Sequence, residues 1–242
     1  MPAWFEPDWA RPASVGALST TRQGGLSLSP WSSFNLGTHV GDDPAHVAAN
    51  RAQLRAALPA EPAWLNQVHG VTVVDAATVQ GVPDADASVS RTPGVVCVVM
   101  TADCLPVLFC DRAGTVVAAA HAGWRGLHAG VLEETLAAMQ VDPAQVLAWI
   151  GPAIGPRAFE VGSEVRAAFL DVQPQAEAAF VPSVAPGKWL ADLPALARLR
   201  LNAAGVRAVA GGNLCTHDEP ERFFSYRRDG QTGRLASLIW LR

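Results

Sequence analysis

Cys104 and His121 flank a hairpin signal. Asp111-Arg112-Ala113-Gly114 reads as a turn between two apolar runs at 105–110 and 115–120. With a four-residue loop at 111–114, Cys110 faces Thr115 and Cys104 faces His121. Directly opposed residues of an antiparallel pair share a face, with Cβ atoms about 4.5–5.5 Å apart. That spacing suits two ligands of one metal ion, or a thiol beside the imidazole that takes its proton. A one-residue error in register would separate them. Either residue alone is an ordinary buried cysteine or strand-end histidine. Opposed across one hairpin, they point to chemistry.

A third ligand would complete a catalytic metal site. His69, in Asn66-Gln67-Val68-His69-Gly70 between two short strands, is the best candidate. Two histidines and a thiolate leave zinc a fourth position for water or substrate. His39, His46 and His128 fall in a loop, a first helical turn and a helix surface, and His217 shares a polar loop with Asp218 and Glu219. Those are ordinary places for histidine. The segment His121-Ala122-Gly123-Trp124-Arg125-Gly126 turns from strand into helix, where glycine allows close backbone approach and free N–H groups face an anion.

The elements that must carry these residues alternate without strict order. The spacing predicts a helix from an Asp43 cap through Val47, Leu54 and Leu58, with proline at its first position. Short strands are expected near Trp64-Leu65 and at 71–74, and residues 16–41 read as loops and short strands. The run 95–100 is apolar throughout, as in a strand buried on both faces. One helix is expected through Leu127, Val131, Leu132, Leu136 and Met139. Further on come a strand at 146–150, helices at 163–171 and from the Asp192 cap to about 204, and strands at 206–210 and 235–241. Such interleaving fits a mixed-sheet layered α/β domain.

Composition narrows the function classes. The chain has 242 residues, 50% hydrophobic and 17% charged, with a net charge of −4. That balance argues against disorder and lacks the basic footprint of a nucleic-acid binder. No apolar run approaches the ~20 residues of a spanning helix, and the N-terminus lacks the features of a signal peptide. A cytoplasmic protein with a small-molecule substrate, no membrane association and no obligate protein partner is expected. Four cysteines without C-x-x-C spacing argue against a disulfide framework.

Four motifs in order resemble the bacterial laccase-domain family, also known as polyphenol oxidase, purine nucleoside phosphorylase and peptidoglycan editing factor. They are Asn66-Gln67-Val68-His69-Gly70, Thr101-Ala102-Asp103-Cys104-Leu105-Pro106, His121-Ala122-Gly123-Trp124-Arg125-Gly126 and Phe223-Phe224-Ser225-Tyr226-Arg227-Arg228. The match runs from Thr20-Thr21-Arg22 to the C-terminus. The resemblance implies one α/β (α+β) domain over residues 1–242, an α/β/β/α sandwich with mixed sheets related to cysteine-hydrolase-like toxin domains. It also implies a zinc site at His69, Cys104 and His121, with copper as a possible substitute. The activities it implies are phosphorolysis of adenosine, inosine and methylthioadenosine, deamination of adenosine, and copper-dependent phenol oxidation.

Ligand counting bears on the oxidase. A multicopper oxidase needs roughly ten histidines in His-x-His pairs, because copper favours imidazole sets. This chain has six histidines and no His-x-His, which leaves only weak oxidation by adventitious copper. Phosphorolysis needs a phosphate pocket and a grip on the purine. Arg22, Arg125, Arg227 and Arg228 are candidate phosphate ligands, Asn35 and Gln67 candidate substrate contacts, and Phe224 or Trp124 a stacking surface. Deamination needs a proton-carrying carboxylate, for which Asp103 and Glu160 are the candidates. The H-x-E and P-C-x-x-C deaminase signature is absent. Cys104, His121 and Asp103 are therefore the expected catalytic residues of a zinc-dependent purine nucleoside phosphorylase with side deaminase activity. The main rival is a cysteine amidase, with Cys104 as nucleophile and His121 as base, acting on mis-made UDP-muramoyl–amino-acid precursors. A non-catalytic purine or metal sensor is the third reading.

Overall fold

Side chains along the central strands alternate between two buried environments, and that alternation sets the layers. The computed structural model describes residues 3–242. The chain opens with β1 (Trp4–Phe5), β2 (Val15–Thr20), α1 (Pro44–Arg55), β3 (Pro62–Ala63), β4 (Val73–Asp75) and β5 (Ala87–Ser90). The central run is β6 (Val96–Thr101), β7 (Leu105–Asp111), β8 (Val117–Ala122), α2 (Trp124–Ala129), α3 (Val131–Met139) and β9 (Val146–Ile150). Then follow β10 (Glu160–Gly162), α4 (Ser163–Val172), β11 (Phe180–Pro182), β12 (Lys188–Ala191) and α5 (Leu193–Ala203). The chain ends with β13 (Ala208–Gly211), α6 (Tyr226–Asp229) and β14 (Leu235–Leu241).

A five-stranded sheet has the order β1-β2-β14-β6-β3, and a six-stranded sheet the order β13-β9-β7-β8-β5-β4. Both are mixed, because β3, β4 and β13 pair in parallel and the other neighbours are antiparallel. On β6, Val96, Val98 and Met100 pack with Phe34 and Leu54 of α1, whereas Cys97 and Val99 face the second sheet. There they meet Leu108, Cys110, Val117, Ala119 and Trp149. The other face of the six-stranded sheet, with Val107, Phe109, Ala118 and Ala120, packs on Leu127, Leu132, Phe169 and Leu196 of the helices. The result is the expected α/β/β/α order, with both sheets buried on both faces. A small sheet, β10-β12-β11, adds to the helical side.

The hairpin turn differs from expectation by one residue. Asp111 stays in β7 and the loop is 112–115, because the Asp111 carboxylate accepts from Thr115 N (2.7 Å), Thr115 Oγ1 (2.7 Å) and Val116 N (3.0 Å). Pro106 therefore faces His121, and Cys110 faces Val117 rather than Thr115. Cys104 and His121 are not directly opposed. The pairing has moved by two residues, a full side-chain period, so both remain on one face.

The helix expected across 127–139 is two helices, broken at Gly130, whose φ of +103° suits only glycine. Helix α1 starts as expected, with Asp43 accepting from Ala45 N at 2.8 Å, but ends at Arg55, before Leu58. The strand expected at Trp64-Leu65 lies at Pro62–Ala63. Strand β5 and the small sheet have no counterpart in the sequence reading. Among the described residues, no helix is long and apolar enough to cross a membrane.

Burial alone would raise the Asp111 pKa, but the bonds from Thr115 and Val116 bring it below its ordinary value. Its contribution is thus present above the unfolded carboxylate pKa and is lost as pH falls through the folded one. In urea unfolding, Asp111→Ala should cost about 2 kcal/mol at neutral pH. The gap to wild type should narrow as pH drops below about 4. A gap independent of pH would contradict this account of the turn.

Candidate functional site

The site is organised around an aspartate at the threshold of β5. Asp86 is fully buried. Its Oδ1 accepts from His121 Nδ1 at 2.7 Å and from His69 N at 3.0 Å. Its Oδ2 accepts from Gly70 N at 2.6 Å and from Val68 N at 3.2 Å. His69 has a φ of +62°, and this left-handed turn lets three successive N–H groups converge on one carboxylate. Burial would raise the Asp86 pKa, but the bonds from His121, Gly70 and His69 carry it below its ordinary value.

One carboxylate therefore fixes both histidines, His121 through its ring and His69 through its backbone. With Nδ1 committed to Asp86, His121 has Nε2 left as a ligand atom. The ligand atoms of His69, Cys104 and His121 lie within 4.8 Å of one another, and Cys104 Sγ is 3.7 Å from His69 Nε2. Burial would push the Cys104 thiol up, but the neighbouring imidazoles of His121 and His69 outweigh it and bring it to about 6. Burial would pull His121 down, yet Cys104 and Asp86 lift it to about 9. Nitrogen, sulfur and nitrogen donors at this spacing, with a carboxylate behind one histidine, fit a zinc ion with an open position.

Two backbone features make room for the trio. A Cβ on Gly123 would come 2.8 Å from His69 Cδ2 and 3.1 Å from Cys104 Sγ, so only glycine fits there. Asp103, with a φ of +92°, turns the chain into Cys104. Its carboxylate accepts from Thr216 Oγ1 (2.6 Å) and Arg227 N (2.7 Å), and its carbonyl from Ile154 N (2.9 Å).

The trio forms part of the wall of a pocket of about 500 Å³, a size suited to a small organic substrate. Leu65, Met100, Ile154, Phe159 and Leu193 supply apolar wall, and His39, Tyr226, Arg227 and Arg234 polar wall.

The structure brings together some of the residues singled out by sequence and disperses others. His69, Asp103, Cys104, His121, Gln67, Trp124 and Arg227 line the pocket. Gln67 has both ends of its amide on Met100, donating to its carbonyl and accepting from its N–H at 2.7 Å each. Arg227 Nη1 donates to Glu160 O at 2.9 Å.

Arg22, Arg125, Arg228, Asn35 and Phe224 lie outside the pocket wall. Arg22 donates to Ser32 O and Pro220 O, with its guanidinium 4.8 Å above the buried Phe224 ring. Arg228 donates to the carbonyls of Thr216, His217 and Phe223. Arg125 is exposed, with its guanidinium 4.5 Å from the Trp124 ring centroid. Asn35 is buried among Gly37, Asp42 and Arg234. The Glu160 side chain accepts from Ser183 and is not part of the wall. Sequence reasoning missed Asp86, Arg234 and the pocket placement of His39. No local pattern marks Asp86. Arg234 stands one residue before a strand that was anticipated.

A family profile described as multi-copper polyphenol oxidoreductase laccase matches residues 16–242. A protein named purine nucleoside phosphorylase in Pseudomonas aeruginosa is 59% identical over 241 residues, covering 100% of this chain and 99% of its own. One named purine nucleoside phosphorylase YfiH in Escherichia coli is 59% identical, covering 97% of each chain. The crystal structure of a Neisseria meningitidis protein superposes with a TM-score of 0.95 at 57% identity, covering 99% of each chain. That of YlmD from Geobacillus stearothermophilus gives 0.88 at 33% identity, covering 95% of this chain and 93% of the other.

Removing the charge behind His121 should loosen metal binding. Asp86→Asn is expected to weaken zinc affinity by about 10–100-fold in competition with a chromophoric chelator. Gly123→Ala should lower zinc content by displacing His69 or Cys104. Unchanged affinity in both variants would mean that the trio does not hold the metal.

Proposed function

The chain belongs to the multi-copper polyphenol oxidoreductase laccase family, and from that premise we propose that it is a zinc-dependent purine nucleoside phosphorylase. The observation that carries this reading is a nucleoside-sized pocket holding the His69–Cys104–His121 trio and two guanidinium groups. Relatives at 50–59% identity carry the phosphorylase name, which supports it. Adenosine, inosine and methylthioadenosine are the proposed substrates. Four free thiols accord with a cytoplasmic setting.

In phosphorolysis a phosphate oxygen bonds to C1′ of the ribose as the bond from C1′ to the base nitrogen breaks. The base leaves with the electron pair and takes up a proton. Zinc, which His69, Cys104 and His121 would hold, would supply a Lewis acid to this chemistry. The apolar wall formed by Leu65, Met100, Ile154, Phe159 and Leu193 excludes water and accepts the flat base. Tyr226, largely exposed at the pocket, offers a face for stacking. Arg227 contributes positive charge for the anion.

Deamination of adenosine is proposed as a minor activity. It needs a carboxylate that exchanges protons, and its minor rank follows because Asp103, the carboxylate of the pocket wall, has each oxygen engaged by a hydrogen bond.

A second reading is favoured by one observation: Cys104, His121 and Asp86 stand in the order nucleophile, base and orienter, with the thiol drawn down to about 6. That arrangement suits a cysteine amidase acting on cell-wall precursors. His69 has no part in such a triad, so it separates the two readings.

The test is purified protein with adenosine and phosphate, resolved by mass spectrometry. Adenine and ribose 1-phosphate should form, and both Cys104→Ala and His69→Ala should lose the activity by at least about a hundredfold. Full activity after chelation, or in His69→Ala, would overturn the zinc enzyme. Amino-acid release from wall precursors by His69→Ala would support the amidase.

A further inference from the structure

Arg234 is a charged residue of the pocket wall with no ion-pair partner among the described residues. Its Nη1 donates to Thr232 O and Gly233 O at 3.1 Å each. Nε and Nη2 donate to no protein acceptor among the described residues. Those two atoms form the edge of a guanidinium that takes a carboxylate or phosphate in a bidentate fork. The fork is therefore anchored at one corner and free along its recognition edge.

The surroundings hold that edge in place. The Arg234 N–H donates to Asn35 Oδ1 at 2.8 Å, and Arg234 O accepts from Leu36 N at 3.2 Å. Asn35 is fully buried and holds itself through Gly37 and Asp42, so its amide serves as a fixed clamp on the Arg234 backbone. A Cβ at Gly37 would come 2.7 Å from Arg234 Cγ, so the arginine stem lies flat on this loop. Asn35 and Gly37, which are not part of the pocket wall, thus act through Arg234. His39, two residues further, lies on the same pocket wall.

Asp103 and Cys104 act on Arg234 through charge, but neither makes an ion pair or hydrogen bond with its free edge. Asp103 is the carboxylate of this pocket wall, and both of its oxygens already accept hydrogen bonds elsewhere. Cys104 belongs to the metal trio. The Nε–Nη2 edge thus has no directly bonded anion among the described residues.

We propose that the Nε–Nη2 edge of Arg234, with His39 beside it, is an oxyanion subsite of this pocket that takes a tetrahedral phosphate group. Its identification as the site of the phosphate co-substrate rests on the phosphorylase reading; the subsite itself does not. The same chemistry would also accept the phosphoryl group of a nucleotide.

Equilibrium dialysis of zinc-loaded protein with radiolabelled inorganic phosphate, and separately with adenosine monophosphate, tests this without turnover. Arg234→Gln should weaken phosphate binding by about tenfold or more, and Arg234→Lys, which keeps charge and loses the fork, by less. Arg125→Gln, outside the pocket, should match wild type. Zinc content and urea unfolding confirm that each variant is folded, and Arg234→Lys keeps the test alive if Arg234→Gln is not. In turnover, the KM for phosphate should rise by a similar factor while that for adenosine stays level.

Wild-type phosphate affinity in both Arg234 variants, or binding of neither ligand by wild type, overturns the proposal. Arg234-dependent phosphate binding without phosphorolysis supports the subsite and defeats the phosphorylase reading. Arg234-dependent binding of the nucleotide alone does the same, and makes the nucleotide the source of the phosphate group.

Discussion

The Asp86 carboxylate is buried where three chain segments meet, and it accepts from His121 Nδ1 and from the N–H groups of Val68, His69 and Gly70. An isolated buried carboxylate would be costly, and four donors match the four acceptor sites of its two oxygens. The same bonds hold the end of β8 against the start of β5, where His121 N also donates to Asp86 O at 2.7 Å. Local folding and site geometry thus depend on one group. Moving it would shift both histidines at once, which is why the trio is preorganised with His69 on an exposed loop.

The layered fold determines where such a group can sit. Strand β6 belongs to the five-stranded sheet and β7 to the six-stranded one, so the short connection Ala102-Asp103-Cys104 crosses between sheets. At that crossing the sheets part, and the ends of β6 and β8 and the start of β14 come together with Cys104. Gln67 ties its loop to the end of β6 through Met100, and Arg234 enters from the residue before β14. The pocket therefore draws one wall from each sheet. Its apolar lining continues from the core, while Asp103 and Arg234 come from connections, Arg227 from α6 and His121 from the end of β8.

Much of this was legible in sequence because periodicity carried it. The both-faces-buried run of β6, the strands β9 and β14 and the Asp192-capped α5 all follow local rules that tertiary contacts reinforce. The hairpin also shows how a local error can leave a conclusion intact. The Asp111 side chain moved the turn by one residue, yet the pairing moved by two and Cys104 stayed on the face of His121. Helix 127–139 was misread because Gly130 is harmless to helical periodicity but its left-handed backbone breaks the helix. Asp86 and Arg234 were illegible for a different reason. Each owes its role to partners far away in sequence, respectively His121 and the Asn35 loop, and nothing in the flanking residues encodes those encounters. Conversely, arginines inside recognisable motifs, such as Arg22 and Arg228, have their donors on main-chain carbonyls and on Asp229.

The distribution of charge in the pocket weighs the chemistries against one another. A proton-shuttling reaction needs a carboxylate with a free oxygen near the substrate, and the pocket wall has only Asp103, bonded at both oxygens, among its described residues. An anion-consuming reaction needs fixed positive charge with open donors, and Arg234 meets that description. The Cys104–His121–Asp86 order satisfies a nucleophilic mechanism as well, in which His69 serves only to lower the thiol. His69 adopts a strained left-handed backbone, held there by three hydrogen bonds to Asp86 from its own segment. Strain of that kind persists where the surrounding structure compels it. Here it places an imidazole 3.7 Å from a sulfur that a two-residue nucleophilic pair would not need to share. A third ligand of one metal ion is a role that this placement suits.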